Sequence, residues 1–201
     1  NANLYFMQYK NQLVLTGALD NVGEYLRENV EKSYRLGIEL DLNLILSDNL
    51  SINSNLALSK NKVQNLTINR DGESRNLGDT NIAFSPNVIT TNSIQFNPND
   101  NLRVSLIGKF VGDQYMSNTD TQASRLDDYF VTDLNFSYSL PMNSIFKKII
   151  FSGMINNIFD LEYVDRGYTY LDTWSGPISQ EIQGYYPQAT RNFLLGASFI
   201  F

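Results

Sequence analysis

From Tyr34 the chain is apolar at every second position, through Leu36, Ile38, Leu40, Leu42, Leu44 and Leu46, while Arg35, Gly37, Glu39, Asp41 and Asn43 fill the gaps. A period of two fits a strand and no helix. After Ser47-Asp48-Asn49, a turn-forming tripeptide, the pattern resumes as Leu50, Ile52, Leu56 and Leu58 against Ser51, Asn53, Asn55 and Ser59, which predicts a tight antiparallel hairpin. Leu102 to Phe110, Phe130 to Leu140, Ile149 to Asn157 and Arg191 to Phe201 also read as strands, and Leu4 to Leu15 as a first strand of weaker pattern. Between Ile82 and Phe96 the alternation is interrupted by Pro86. The final strand keeps Phe193, Leu195, Ala197, Phe199 and Phe201 on one side to the last residue. The pattern predicts an all-β fold, an antiparallel up-and-down meander of about eight strands.

The charges inside these strands, Glu39, Asp41, Arg103, Lys109 and Asp133, all fall on the polar parity. A cation at mid-bilayer on a lipid face costs roughly 2–4 kcal/mol, so a membrane barrel requires this segregation. A soluble sandwich shows it too, with the apolar face as its core. Connection length separates the two. Long links near 16–32, 63–80, 112–125 and 158–190 alternate with short ones at 47–49, 97–101 and 141–148. In a meander this sorts every short turn to one end and every long loop to the other, as in outer-membrane barrels. A Greek-key sandwich has no reason to sort its loops so. Short turns then belong to the periplasm and long loops to the exterior, with the C-terminus periplasmic.

Composition narrows the chemistry. No apolar run approaches the ~20 residues of a membrane helix, and strands leave mean hydropathy near that of a soluble protein. The 201 residues include neither Cys nor His. That removes disulfides, the usual general base and nucleophile, and the usual zinc, copper or haem ligands, so neither catalysis nor a metal or cofactor is expected. A net charge of −6 offers no basic stripe for nucleic acid. Asn1-Ala2 reads as a cloning remnant, and no secretory leader opens the sequence, which begins directly in an aromatic, strand-like segment.

Three elements carry a family resemblance. Ile155-Asn156-Asn157-Ile158-Phe159-Asp160-Leu161-Glu162-Tyr163 resembles the NNLFDxxY element of TonB-dependent outer-membrane receptors. Gly184-Tyr185-Tyr186-Pro187-Gln188-Ala189-Thr190-Arg191-Asn192-Phe193 is similar to their YxPxxxRNF entry into the last strand. Phe193, Leu195, Phe199 and the terminal Phe201 resemble the signal read by the barrel-assembly machinery. The first strand, from Asn3 to Gln12, also resembles one common in such receptors. The resemblance implies a transporter in a Gram-negative outer membrane, whose ~22-stranded barrel encloses a plug and is energised through the TonB complex. It implies that residues 3–201 are the C-terminal part of the barrel, with the plug, the TonB-contacting N-terminal box and earlier strands absent, and that the ligand is a ferric siderophore or a similar scarce chelate. A glycan-uptake receptor of the same superfamily and a small self-closed barrel serving as anchor or adhesin are the alternatives.

Site expectations follow from position. Tyr168, Tyr170 and Trp174, midway along the longest link, are candidates for ligand contact, whereas Tyr185 and Tyr186 stand near the last strand, where a girdle is expected. Arg35, Glu39, Asp41, Arg103, Lys109 and Asp133 point to the lumen, where they contact a plug or pair across strands. Asn156, Asn157 and Asp160 read as a strand-exit cap, and Arg191 as structural.

Overall fold

The computed structural model describes residues 1–70, 72–143, 145–172 and 180–201. Its strands are β1 (Ala2–Leu19), β2 (Tyr25–Ser47), β3 (Leu50–Arg70), β4 (Glu73–Asn81), β5 (Val88–Asn99), β6 (Leu102–Val111), β7 (Gln114–Tyr115), β8 (Arg125–Leu126), β9 (Tyr129–Pro141), β10 (Lys148–Asn156), β11 (Val164–Asp172), β12 (Gln180–Pro187) and β13 (Asn192–Ile200). Nine of them form one antiparallel sheet in the order β1-β2-β3-β5-β6-β9-β10-β13, with β4 also paired to β3. The sheet is open, since among the described residues β1 pairs only with β2 and β13 only with β10. β4 and β5 are two halves of one broken strand. β5 pairs with Leu50–Leu58 and β4 with the upper part of β3 from Lys62, and the segment between them holds Pro86, which cannot donate to a ladder.

The register carries the alternation across the sheet. Leu44, Ile52, Ile94, Leu106, Leu134, Ile155 and Phe193 face one another in turn from β2 to β13. The next row runs Leu50, Phe96, Val104, Phe136, Gly153 and Leu195. In it the Phe136 ring lies where a Cβ on Gly153 would stand, so the aromatic covers the gap that the glycine leaves. The large side chains of this face are the exposed ones: Ile94 45%, Phe96 47%, Phe193 67% and Leu195 78%. On the other face Ser33 and Asn61 are buried, at 1% and 4%. That inverts the burial order of a water-soluble sheet. From Leu36 to Leu46 the apolar side of β2 extends about 34 Å along the strand, or about 25 Å once tilted by ~40°, the height of an outer-membrane barrel's apolar band.

Above this band the faces exchange. Asn11 in β1 and Asn65 in β3 adopt φ of 56° and 50°, and the β3–β4 register shifts on both sides of Leu66. In β2, Val30 and Ser33 are both buried although three residues apart. Such irregularities re-aim side chains. Around them Val14, Val30, Val63, Leu66 and Ile82 form a hydrophobic cluster among the described residues, with Ile68 against it.

Two of the expected long loops are therefore mostly strand. β1 and β2 continue to a turn at Asp20–Glu24, and β3 and β4 to a turn at Gly72. The backbone ladder persists there, while the strict alternation of apolar and polar positions stops. The Asp20 carboxylate closes the first turn by accepting the Val22 and Glu24 amides at 2.9 Å each. Those bonds, Glu24 first, hold its pKa below the usual carboxylate range. The longest link likewise contains the β11–β12 hairpin.

Candidate functional site

At the long-loop end the segment between β6 and β9 folds in against the sheet. Met116 is fully buried, lodged where Gly17 and Gly167 have no Cβ. Gly17 has φ +88°, and any side chain there would strike the Met116 carbonyl. Asn118, 2% exposed, accepts from the Ala83 amide at 2.8 Å and donates to the Leu15 carbonyl at 2.7 Å, which ties β1 to the segment after β4. Asp120 accepts from the Asn81 amide and side chain at 2.8 and 3.0 Å.

The β11–β12 hairpin closes over this segment. The Tyr25 hydroxyl donates to the Gly167 carbonyl at 2.7 Å, and burial raises its pKa, which keeps the donor proton in place. The Glu181 carboxylate accepts from the Thr121 and Thr169 hydroxyls at 2.8 and 3.0 Å. Beneath the hairpin lies a cleft of about 440 Å³ lined by Thr16, Ile68, Arg75, Ser117, Thr119, Tyr170 and Glu181 among others. It offers hydroxyls, a guanidinium, a carboxylate and an aromatic ring, a set that suits a bulky ligand with anionic or hydroxyl groups. Among the described residues no three carboxylates gather as metal ligands.

Tyr168 and Tyr170 share a face of β11 with rings 6.4 Å apart and nearly parallel, and Tyr186 approaches Tyr168 at 5.9 Å. Tyr186 therefore stands with the hairpin tyrosines rather than apart from them near the last strand. Trp174 lies outside the described residues. Tyr185 lines a separate cleft with Tyr129 and Tyr163, where burial raises the Tyr163 pKa. Arg75, Glu181, Thr121 and Met116 were not legible in the sequence, because each lies in a stretch without periodicity and they meet only through folding.

The inward charges are not brought together. Arg35 donates to Asn61 and Ser85 at 3.0 and 3.2 Å. Glu39 accepts from Asn3 at 3.1 Å, Asp41 from Asn55 at 2.6 Å, and Asp133 from the Asn157 amide at 2.8 Å. Lys109 and Arg103 line two further clefts. These contacts are with neutral partners rather than opposite charges.

The motif residues after β10 form a compact cap. Asn157, 3% exposed with φ 51°, donates its side chain to the Leu161 carbonyl at 2.8 Å and accepts from the Leu161 amide at 2.9 Å. Asp160 accepts from the Arg191 amide at 2.8 Å, and Asn156 donates to Asn192 at the same distance. The cap thus joins the exit of β10 to the entry of β13. On β13, Phe193 and Leu195 stand exposed on the apolar face, and Phe199 and Phe201 pack on Phe146 at 5.2 and 4.8 Å.

The closed form of Fiu, the ferric-catecholate import receptor of E. coli K12, is 19% identical, with a TM-score of 0.63 over 98% of this chain and 24% of its own. FyuA, the ferric yersiniabactin uptake receptor of Yersinia pestis, is 16% identical, with a TM-score of 0.67 over 98% of this chain and 26% of its own. The copper transporter OprC is 16% identical, with a TM-score of 0.64 over 98% of this chain and 28% of its own. The chain thus spans about a quarter of the length of these structures. No curated protein matches the sequence. Residues 1–158 match the family model described as TonB dependent receptor-like, beta-barrel. With the meander and its inverted faces, that match assigns the chain to the TonB-dependent receptor β-barrel family.

Proposed function

We propose that this chain is the C-terminal part of the barrel of a TonB-dependent transporter in a Gram-negative outer membrane, and that the whole receptor imports a ferric siderophore or a similar scarce chelate. The observation that carries the reading is the family match to a meander whose apolar side faces outward. In this reading the plug, the N-terminal box and the earlier strands belong to parts of the receptor outside these residues. The ligand is collected at the hairpin end, where Tyr168 and Tyr170 supply flat rings and Arg75 a cation for an anionic chelate, with Trp174 a further contact on the sequence reading alone. Arg35, Glu39, Asp41, Arg103, Lys109 and Asp133 face the plug, through which the TonB complex acts. Phe193, Leu195, Phe199 and Phe201 form the signal taken up by the barrel-assembly machinery, and the exposed apolar rows meet outer-membrane lipid. The names of the structural neighbours, from ferric chelates to copper, support import of a metal-bearing ligand.

The test is uptake by cells that carry the full-length receptor as their sole route for the candidate chelate. Deletion is expected to abolish growth under iron limitation. Tyr168→Ala with Tyr170→Ala is expected to lower uptake of a radioactive ferric siderophore about tenfold, at unchanged receptor level, through lost ring contacts. Normal growth of the deletion strain on every iron source, with failure on a glycan, would replace the siderophore reading by the glycan one.

A further inference from the structure

We infer that the whole receptor associates in pairs within the membrane, with Asn92 and Ser54 at the centre of the contact between two copies. The inference rests on the proposed reading of the apolar rows as lipid-facing. Along β3, Leu50, Ile52, Ser54, Leu56 and Leu58 take the outward positions, and along β5 Val88, Thr90, Asn92, Ile94 and Phe96 do so. The register pairs these two sets one to one, from Leu50 with Phe96 to Leu58 with Val88. Ser54 and Asn92 are each the third of five, so two polar side chains stand side by side in the middle of the apolar band. Their row continues to Leu42 on β2 and to Gly108 on β6. The patch thus lies inside the sheet and away from its open edges.

A carboxamide at that depth is costly unless its polar atoms are hydrogen-bonded, because acyl tails offer neither donors nor acceptors. Part of the requirement is met within the chain. Ser54 Oγ donates to Asn92 Oδ1 at 2.6 Å, Asn92 Nδ2 donates to Thr90 Oγ1 at 3.1 Å, and Thr90 Oγ1 donates to the Asn55 carbonyl at 2.7 Å. A side-chain amide has two N–H donors and two acceptor lone pairs. Among the described residues Asn92 therefore keeps one of each, on a side chain that is exposed. Lipid headgroups lie too far from mid-band to serve them, so the occupant is a protein. One donor beside one acceptor is its own complement. Two such amides related by a two-fold axis exchange a pair of N–H···O bonds, which is the symmetry of two like subunits. The relief of the row suits the contact, since Leu42, 52% exposed, and the Phe130 ring, 53% exposed and lying over Gly108, stand on either side of the Ser54–Asn92 pair. From β2 to β6, four strands wide and five outward positions long, the patch covers about 500 Å² on each copy, and the ~1,000 Å² of both is where specific interfaces begin.

The test uses the full-length receptor. In mild detergent, sedimentation is expected to find two copies per particle, and Asn92→Leu with Ser54→Ala is expected to raise the dissociation constant of the pair about tenfold. In vesicles, with no other thiol present, Ile94→Cys is expected to be joined between copies by a membrane-permeant bismaleimide. Phe151→Cys, at a position 43% exposed on the same face but three strands away, is expected to stay unjoined. A parent receptor that is single at every concentration, an unchanged dissociation constant in the double variant, or joining through Phe151→Cys in place of Ile94→Cys overturns the inference. Heat-modifiable migration on gels reports the closed barrel whether or not copies pair. A heat-modifiable receptor that stays single therefore overturns the pairing alone, whereas a receptor soluble without detergent removes the membrane reading beneath it as well.

Discussion

Asn157 shows how much a single side chain does here. It takes a left-handed backbone, donates and accepts within its own loop, and lends its amide to Asp133 on β9. An alanine there loses the side-chain bonds to the Leu161 amide and carbonyl and to the Ala189 carbonyl, and meets the steric cost of positive φ. Asn157→Ala is expected to destabilise the folded receptor by about 2–4 kcal/mol, read as a lower urea midpoint at unchanged m-value. Asn157→Gly, which relieves only the backbone cost, is expected to fall between. The sequence reading of a strand-exit cap is the geometry found, because Asn and Asp at a strand end have few other ways to satisfy the backbone. Tyr186 was less legible. Closeness to the last strand suggested a girdle, whereas pairing with Arg166 across the hairpin lifts it to Tyr168.

At the scale of the strand, alternation gave both the elements and their faces, and the cross-strand register carried those faces from β2 to β13 without a slip inside the apolar band. Ile94 and Ser93 are neighbours on β5 with opposite faces, exposed apolar and inward polar. Ile94→Arg is expected to cost about 2–4 kcal/mol in a bilayer and to lower the amount of folded receptor, while Ser93→Arg is tolerated. Measurement of unfolding in lipid vesicles separates them, and equal effects would remove the lipid-face assignment. Strand ends were not legible in the same way. Near Asn11 and Asn65 the periodicity fades, yet hydrogen bonding continues, and a pattern method sees only the first.

For the whole molecule, the sorted connections orient the chain. The sequence has no cysteine, so single thiols report sidedness. In cells that carry the receptor, Val22→Cys, at a position 83% exposed in the turn after β1, is expected to react with a membrane-impermeant maleimide. Asp48→Cys, in the short turn after β2, is expected to react only after the outer membrane is opened. The reverse result would overturn the orientation and with it the placement of the ligand cleft. The cleft itself is a property of this scale. It combines side chains from β1, β3, β4, β11, β12 and the segment before β8.

The sequence by itself determined the antiparallel meander, which face is apolar, and the family, because a period of two and a few backbone-satisfying motifs are local and survive without knowledge of partners. Only the tertiary structure decided how far the strands run beyond the apolar band, that the faces exchange there around a small hydrophobic cluster, and which residues meet under the β11–β12 hairpin. Those outcomes depend on burial by distant segments, as when Met116 fills the space left by Gly17 and Gly167, and no local pattern encodes a contact between residues so far apart in the chain.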